Sequence, residues 1–124
     1  MSDLAAVAPL AAERFEITVT APRALALKGE IAVRDPVAEY GGHFRKVHDA
    51  AVGGGELLVD VTGLGFVNSS GLRLFLDWVA WIAAEPAERR YPLRFRTRKG
   101  ATWQNAAFPA IVMLGGGNVT SEAG

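Results

Sequence analysis

The 124-residue chain contains no cysteine. That excludes disulfide staples, thiolate metal ligands and cysteine nucleophiles, and it suits a reducing compartment. Net charge is missing as well. The 13 basic side chains balance 13 acidic ones, so no global field draws the molecule toward nucleic acid or an anionic membrane, and electrostatic preference falls to local patches. Histidine is scarce, with only His43 and His48. Five positions apart on a helix, they miss the i, i+4 spacing that lets two imidazoles share a metal. Long hydrophobic runs are also lacking. The most apolar stretch, Leu72 to Ala84, is broken by Arg73 and Asp77 and falls short of the roughly 20 residues that span a bilayer. The opening Met1 to Ala12 is alanine-rich but carries Asp3 where a secretory signal has a basic start. No export is expected, the sequons at Asn68 and Asn118 are not expected to be glycosylated, and the expected compartment is the cytoplasm.

What remains is a chain that is 50% apolar and only 21% charged, enough to bury a core and too short for more than one ordinary domain. Residues 1–13 read as a loose extension and 14–122 as the domain. Phe15, Ile17 and Val19 alternate with polar neighbours, the period of a half-covered strand, and Leu25, Leu27 and Ile31 supply a second. Asp35-Pro36 is a helix start, with a capping carboxylate and a proline where no N–H is needed. Val37, Tyr40, Phe44, Val47 and Ala51 then recur at helical spacing. Gly41-Gly42 inside this helix implies a close contact or a kink.

After Gly53-Gly54-Gly55, the run Leu57 to Val61 reads as a central strand covered on both sides, followed by a glycine-containing loop. Leu72, Phe75, Leu76, Val79, Ile82 and Ala83 form the expected core stripe of a second helix, ended by Pro86. Leu93, Phe95 and Thr97 alternate with Arg94, Arg96 and Arg98 in a further strand. Thr102 is the expected N-cap of a third helix that Pro109 should kink or divide, and Val119 begins a short last strand. The order ββαβαβα(β) gives an α/β fold, a single-domain sandwich of a mixed sheet with helices mainly on one face.

The informative stretch is Asn68-Ser69-Ser70-Gly71-Leu72, where small polar residues stand just before an amphipathic helix. Ser69 or Ser70 is expected to cap that helix. One cap suffices, so the remaining hydroxyls are left at the positive end of a helix dipole, where a phosphate is electrostatically welcome. With Asp60 and Leu64-Gly65-Phe66 upstream, the pattern resembles the STAS family of sulfate transporter and anti-sigma factor antagonist domains. Their hallmark is a strand ending in Asp, a Leu-x-Phe step, then Asp-Ser-Ser-Gly or Asp-Ser-Thr-Gly and an apolar helix. The resemblance covers about Phe15 to Met113 and implies a STAS-like fold. It further implies that Ser69 is phosphorylated by a partner serine kinase of the ATP-binding anti-sigma type, which also sequesters a target, and is reset by a cognate phosphatase; Ser70 is the minor alternative. Two departures stand out: Asn68 replaces the family's Asp, and the chain ends soon after its last strand, where many members carry a further helix.

On a helical wheel Leu74, Trp78 and Trp81 fall beside and behind the core stripe. Two readings are open for them. Trp78 packs on the first helix and Trp81 under the 85–92 loop, or all three extend a docking face made by Asn68, Ser69, Ser70, Gly71 and Arg73 toward a protein partner or a second copy. Arg94, Arg96 and Arg98 share one sheet face. Cross-strand pairing with acids such as Glu16, Glu30 or Asp60 is the favoured reading, and an anionic-ligand or nucleic-acid site is the alternative. The loop is no nucleophile elbow, since Val67 stands where its first glycine belongs, and Gly63-x-Gly65-x-x-Asn68 lacks the third glycine of a dinucleotide fingerprint. The expectation is a non-catalytic regulatory protein with no cofactor and no metal.

Overall fold

The computed structural model of the chain describes residues 4, 7 and 9–123. Its elements are β1 (Leu10–Ala11), β2 (Phe15–Ala21), β3 (Ala24–Ile31), α1 (Pro36–Ala51), β4 (Leu57–Val67), α2 (Ser69–Ala84), a 3-10 turn (Ala87–Arg89), β5 (Leu93–Thr97), α3 (Thr102–Leu114) and β6 (Val119–Ala123). This is the expected α/β order with one strand added at the front. The six strands form one mixed sheet in the order β1-β2-β3-β4-β5-β6. The pairs β1·β2 and β2·β3 are antiparallel, and β3 to β6 run parallel. Each parallel step is made by one helix and always moves in the same direction along the sheet. Crossovers of a single hand therefore put all three helices on one face.

The segment expected to be a loose extension is partly built in. Leu10 pairs with Ile17 in the sheet. Leu4 is fully buried and its N–H donates to the Pro22 carbonyl at 2.9 Å. Both are apolar side chains that cover the β2 end of the core. Residues 1–3, 5, 6 and 8 lie outside the described residues.

On the covered face, in-register Leu25, Val59 and Phe95 are buried together. Phe15 of β2 lies 4.9 Å from the Tyr40 ring of α1, and Phe95 of β5 lies 4.8 Å from Phe108 of α3. The opposite face is open and polar. Across it, register aligns Ala26, Asp60, Arg96 and Glu122. Among the described residues no helix is long and apolar enough to cross a membrane.

Four local expectations are corrected. The stretch read as a loop after Val61 is strand, because β4 continues to Val67 alongside β3, absorbing the glycines at two register shifts. Its pairing with β5 extends only from Leu57 to Asp60. Beyond that point the buried Gln104 side chain of α3 donates to the Val61 and Leu64 carbonyls at 2.8 and 3.0 Å, answering the need of buried carbonyls for a donor. The same side chain accepts the Arg98 N–H at 2.6 Å. Thr102 is not a cap: Ala101 occupies that position without a side-chain bond, and Thr102 is the exposed first residue of α3. Pro109 does not divide α3, which runs unbroken across it with Pro109 exposed. Gly41 and Gly42 sit in no tight contact, since an added Cβ at Gly41 would meet Val37 only at 3.5 Å and one at Gly42 would meet nothing. Asp35 does cap α1, accepting the Ala38 N–H at 3.2 Å, with Pro36 in the first turn.

Candidate functional site

At the carboxyl end of β4 the chain turns directly into α2, and Asn68 makes the turn. Its backbone N–H donates to the Ile31 carbonyl at 2.9 Å, continuing the β3·β4 pairing. Its side-chain Oδ1 accepts the Gly71 N–H at 2.7 Å, and its Nδ2 donates to the Val33 carbonyl at 3.0 Å. Asn68 is therefore the cap, and the expectation that Ser69 or Ser70 caps the helix is corrected. The amide supplies an acceptor and a donor to two backbone groups at once, whereas a serine hydroxyl at the first helical positions lies beyond the geometry of a cap. Gly71 follows from the same crowding. A Cβ there would stand 2.7 Å from Ile31 Cγ2 and 2.8 Å from Val67 Cγ1, so α2 can begin this close to the sheet only with glycine.

With capping done by Asn68, Ser69 and Ser70 are both exposed, and neither hydroxyl has a hydrogen-bond partner among the described residues. They occupy the first turn of a 16-residue helix, where the dipole favours an added anion. That turn contains no acidic residue. Arg73, next along the helix, is exposed and pairs loosely with Asp77 at 3.7 Å.

The apolar surface beside this turn differs from the expected one. Leu74 and Trp78 are each 1% exposed and belong to the core. Trp78 meets Phe44 of α1 edge-on at 5.5 Å and donates its indole N–H to the Tyr91 hydroxyl at 2.7 Å. Trp81 is half-buried on α1, near the His48 ring at 5.9 Å and under the Arg45 guanidinium at 5.1 Å. It stands 12 residues from Ser69, about 18 Å along the helix, and does not extend that surface. The reading in which the two tryptophans pack is the correct one, with Trp81 on α1 instead of under the loop.

The residues that do face out are Leu76, 38% exposed, and the half-buried Leu72, which the wheel had assigned to the core stripe. With Ala107, Ala110 and Ile111 of α3 they line an apolar groove of about 150 Å3. Phe66, 46% exposed, lies two residues before Asn68 in register with Glu30 and faces the open side of the sheet, away from this groove. The core of α2 is instead Gly71, Leu74, Phe75, Trp78, Val79 and Ile82.

Of the three arginines, Arg94 alone is ion-paired among the described residues. Arg94 contacts Glu56 at 3.2 Å and Glu122 at 3.6 Å, and Arg96 stands in register between Asp60 and Glu122. Cross-strand pairing holds for Arg94, but its partners are Glu56 and Glu122 instead of the expected acids, and Glu30 is bound to Arg14 at 3.7 Å. The Asp60 carboxylate accepts the Thr62 N–H and hydroxyl at 2.8 and 2.6 Å. Arg98 lies beyond the end of β5 and is exposed. The open face thus interleaves Arg94 and Arg96 with Glu56, Asp60 and Glu122.

A buried cluster that sequence reasoning missed centres on His48, fully buried on α1. Its Nδ1 is 2.8 Å from the Tyr91 hydroxyl and its Nε2 is 3.0 Å from Glu85 Oε2. In the Nε2–H tautomer every polar group of the cluster is satisfied, with the Trp78 indole donating to Tyr91, Tyr91 to Nδ1, and Nε2–H to Glu85. Burial pushes the Tyr91 phenol well above its ordinary value. The bond to His48 foremost holds the Glu85 carboxyl below its own. His43, on another face of α1, has its imidazole pushed below its ordinary value by burial and by the Lys46 charge. No group of three or more histidine and carboxylate side chains among the described residues could hold a metal ion. No family model, curated protein or solved structure matches the chain.

Proposed function

We propose that the protein is a non-catalytic regulatory module of the STAS anti-sigma factor antagonist type, in which phosphorylation of Ser69 decides which partner occupies the mouth of α2. The observation that carries this reading is the division of labour between neighbours: Asn68 makes the cap, and Ser69 keeps an exposed hydroxyl with no structural bond to lose. A phosphoryl group there adds about −1.5 to −2 charges at a helix N-terminus, which the host tolerates. A partner seated on Leu72 and Leu76 instead meets a dianion at the edge of an apolar contact, where desolvating it is costly. One modification therefore changes the complex and leaves the fold intact.

The modifying enzymes are separate chains, a serine kinase of the ATP-binding anti-sigma type and a phosphatase, and the setting is cytoplasmic. The Asn in place of the family's Asp has a local reason, since only the amide can donate to Val33 while it caps α2. Intact-mass analysis of the protein from its native cells, with pull-downs by wild type, Ser69→Ala, Ser70→Ala and Ser69→Asp, tests the proposal. We expect one phosphoryl group, absent from Ser69→Ala and retained by Ser70→Ala, and a partner held by Ser69→Ala and released by Ser69→Asp. The same partners on all four proteins would sink it.

A further inference from the structure

The sheet ends on β6, and among the described residues no strand pairs with the outer side of that strand. Edges are usually blunted by brevity, lysine, proline or a bulge. At the far side of the sheet β1 is only two residues long. In contrast, β6 runs five residues, Val119–Ala123, without lysine or proline and with an unshifted register against β5. Two bonds fix which way its backbone groups point. The Asn118 carbonyl accepts the Leu93 N–H at 2.9 Å, and the Glu122 carbonyl accepts the Thr97 hydroxyl at 3.3 Å, so the even-numbered residues turn toward β5. Val119, Ser121 and Ala123 therefore turn their N–H and carbonyl groups outward.

This edge is complementary to itself. A two-fold axis normal to the sheet through Ser121 sets Ser121 opposite the partner's Ser121 and Val119 opposite the partner's Ala123, so every outward N–H meets an outward carbonyl. Glu122, the single charged residue of β6, then stands opposite the partner's Thr120. An axis through Glu122 would oppose two carboxylates, and one through Thr120 leaves Ala123 beyond the end of the partner's strand. The axis through Ser121 also keeps the helices of both copies on one side of the joined sheet. Helix α3 has no charged residue. Its Ala107, Ala110 and Ile111 line the groove with α2, so Pro109, Val112 and Met113 fall on the opposite flank, toward the β6 edge. Met113 is 81% exposed. Below that flank Ser121 and Ala123, in register with Phe95 and Thr97, are small and exposed. We propose that the protein forms a two-fold homodimer in which the β6 edges pair antiparallel about Ser121 and the α3 flanks carrying Met113 close over the seam. The dimer does not rest on phosphorylation, and it leaves the groove between α2 and α3 open, on the other flank of α3.

The test is sedimentation equilibrium of the full chain up to millimolar concentration, with cysteine cross-linking to read the register. We expect a dimer for wild type. Ser121→Pro removes an outward N–H at a position where an edge strand tolerates proline, and should weaken the dimer roughly tenfold. Met113→Lys, on an exposed side chain, should weaken it in the same direction, and it decides the matter if Ser121→Pro loses its folded circular-dichroism spectrum. Because the chain contains no cysteine, a single introduced thiol can pair only with its own copy. Ser121→Cys, with Cα atoms about 5.5 Å apart across the axis, should oxidise readily to a covalent dimer. Glu122→Cys, on the diagonal at roughly 7–8 Å, should do so far more slowly. A wild type that stays monomeric, a dimer weakened by neither variant, or cross-linking through position 122 as fast as through 121 would each overturn the proposal.

Discussion

Asn68 is bound on three sides, by Ile31, Val33 and Gly71, and the serine beside it by none of them. That asymmetry makes a measurable contrast between adjacent positions. Asn68→Ala removes the cap and the strut to Val33 together, and should lower unfolding free energy by about 1 to 2 kcal/mol. Ser69→Ala and Ser70→Ala touch no bond and should stay within about 0.5 kcal/mol of wild type. Asn68→Asp keeps the capping oxygen but sets a carboxylate oxygen against the Val33 carbonyl, so it should fall between these cases, near 1 kcal/mol of loss. Urea unfolding of the four variants decides the order. A Ser69→Ala loss as large as that of Asn68→Ala would mean the hydroxyl has structural work, and a residue with structural work makes a poor switch.

Helix α2 carries apolar side chains nearly all round, and this explains which of its properties were legible before the fold was known. Its existence, its start after Asn68 and its end at Pro86 follow from local chemistry. Its rotation does not. A wheel with Leu72 and Leu76 on one side and Leu74 and Trp78 on the other offers two inward faces of similar hydrophobicity, and the choice is made by partners far along the chain. Trp78 turns inward because the Tyr91 hydroxyl accepts its indole proton. Tyr91 in turn is held by His48, 43 residues away. No spacing rule reports such a pair. The same holds for Gln104, whose amide serves β4 carbonyls 40 and 43 residues distant. The alternating strands, by contrast, were readable because each needs only its own period. The network that ties α1, α2 and the start of β5 should therefore be felt in stability. Tyr91→Phe leaves Trp78 Nε1 and His48 Nδ1 buried without their partner, a loss of about 2 to 3 kcal/mol. It also carries a pH signature through Glu85, whose carboxyl is held below its ordinary value chiefly by His48. A carboxyl with a lowered folded value binds fewer protons folded than unfolded. Its contribution is thus complete above the ordinary value and is lost as pH falls through the lowered one. Urea midpoints measured downward from neutral pH should show that acid-side loss in wild type and a smaller one in Glu85→Gln. Equal slopes would place the acid sensitivity elsewhere.

At the scale of the whole molecule, strand order decides what each surface can do. With every helix on one side, the sheet keeps an open face whose arginines are interleaved with Glu56, Asp60 and Glu122, and a helical side whose exposed apolar groove starts beside Ser69. These surfaces lie on opposite sides of a single layer of strands, so one substitution on each separates them. Leu76→Glu places a charge in the groove of a residue already 38% exposed. It should cost about 1 kcal/mol or less in stability, yet abolish capture of the partner that unphosphorylated protein holds, mimicking at a distance what the phosphoryl group does at the helix mouth. Thr18→Lys, exposed on the open face in register with Ala26, should leave capture unchanged. Pull-downs with both variants, matched for thermal stability, distinguish the faces. If Thr18→Lys releases the partner and Leu76→Glu retains it, docking belongs to the sheet. Ser69 would then lie on the wrong side of the molecule to control it.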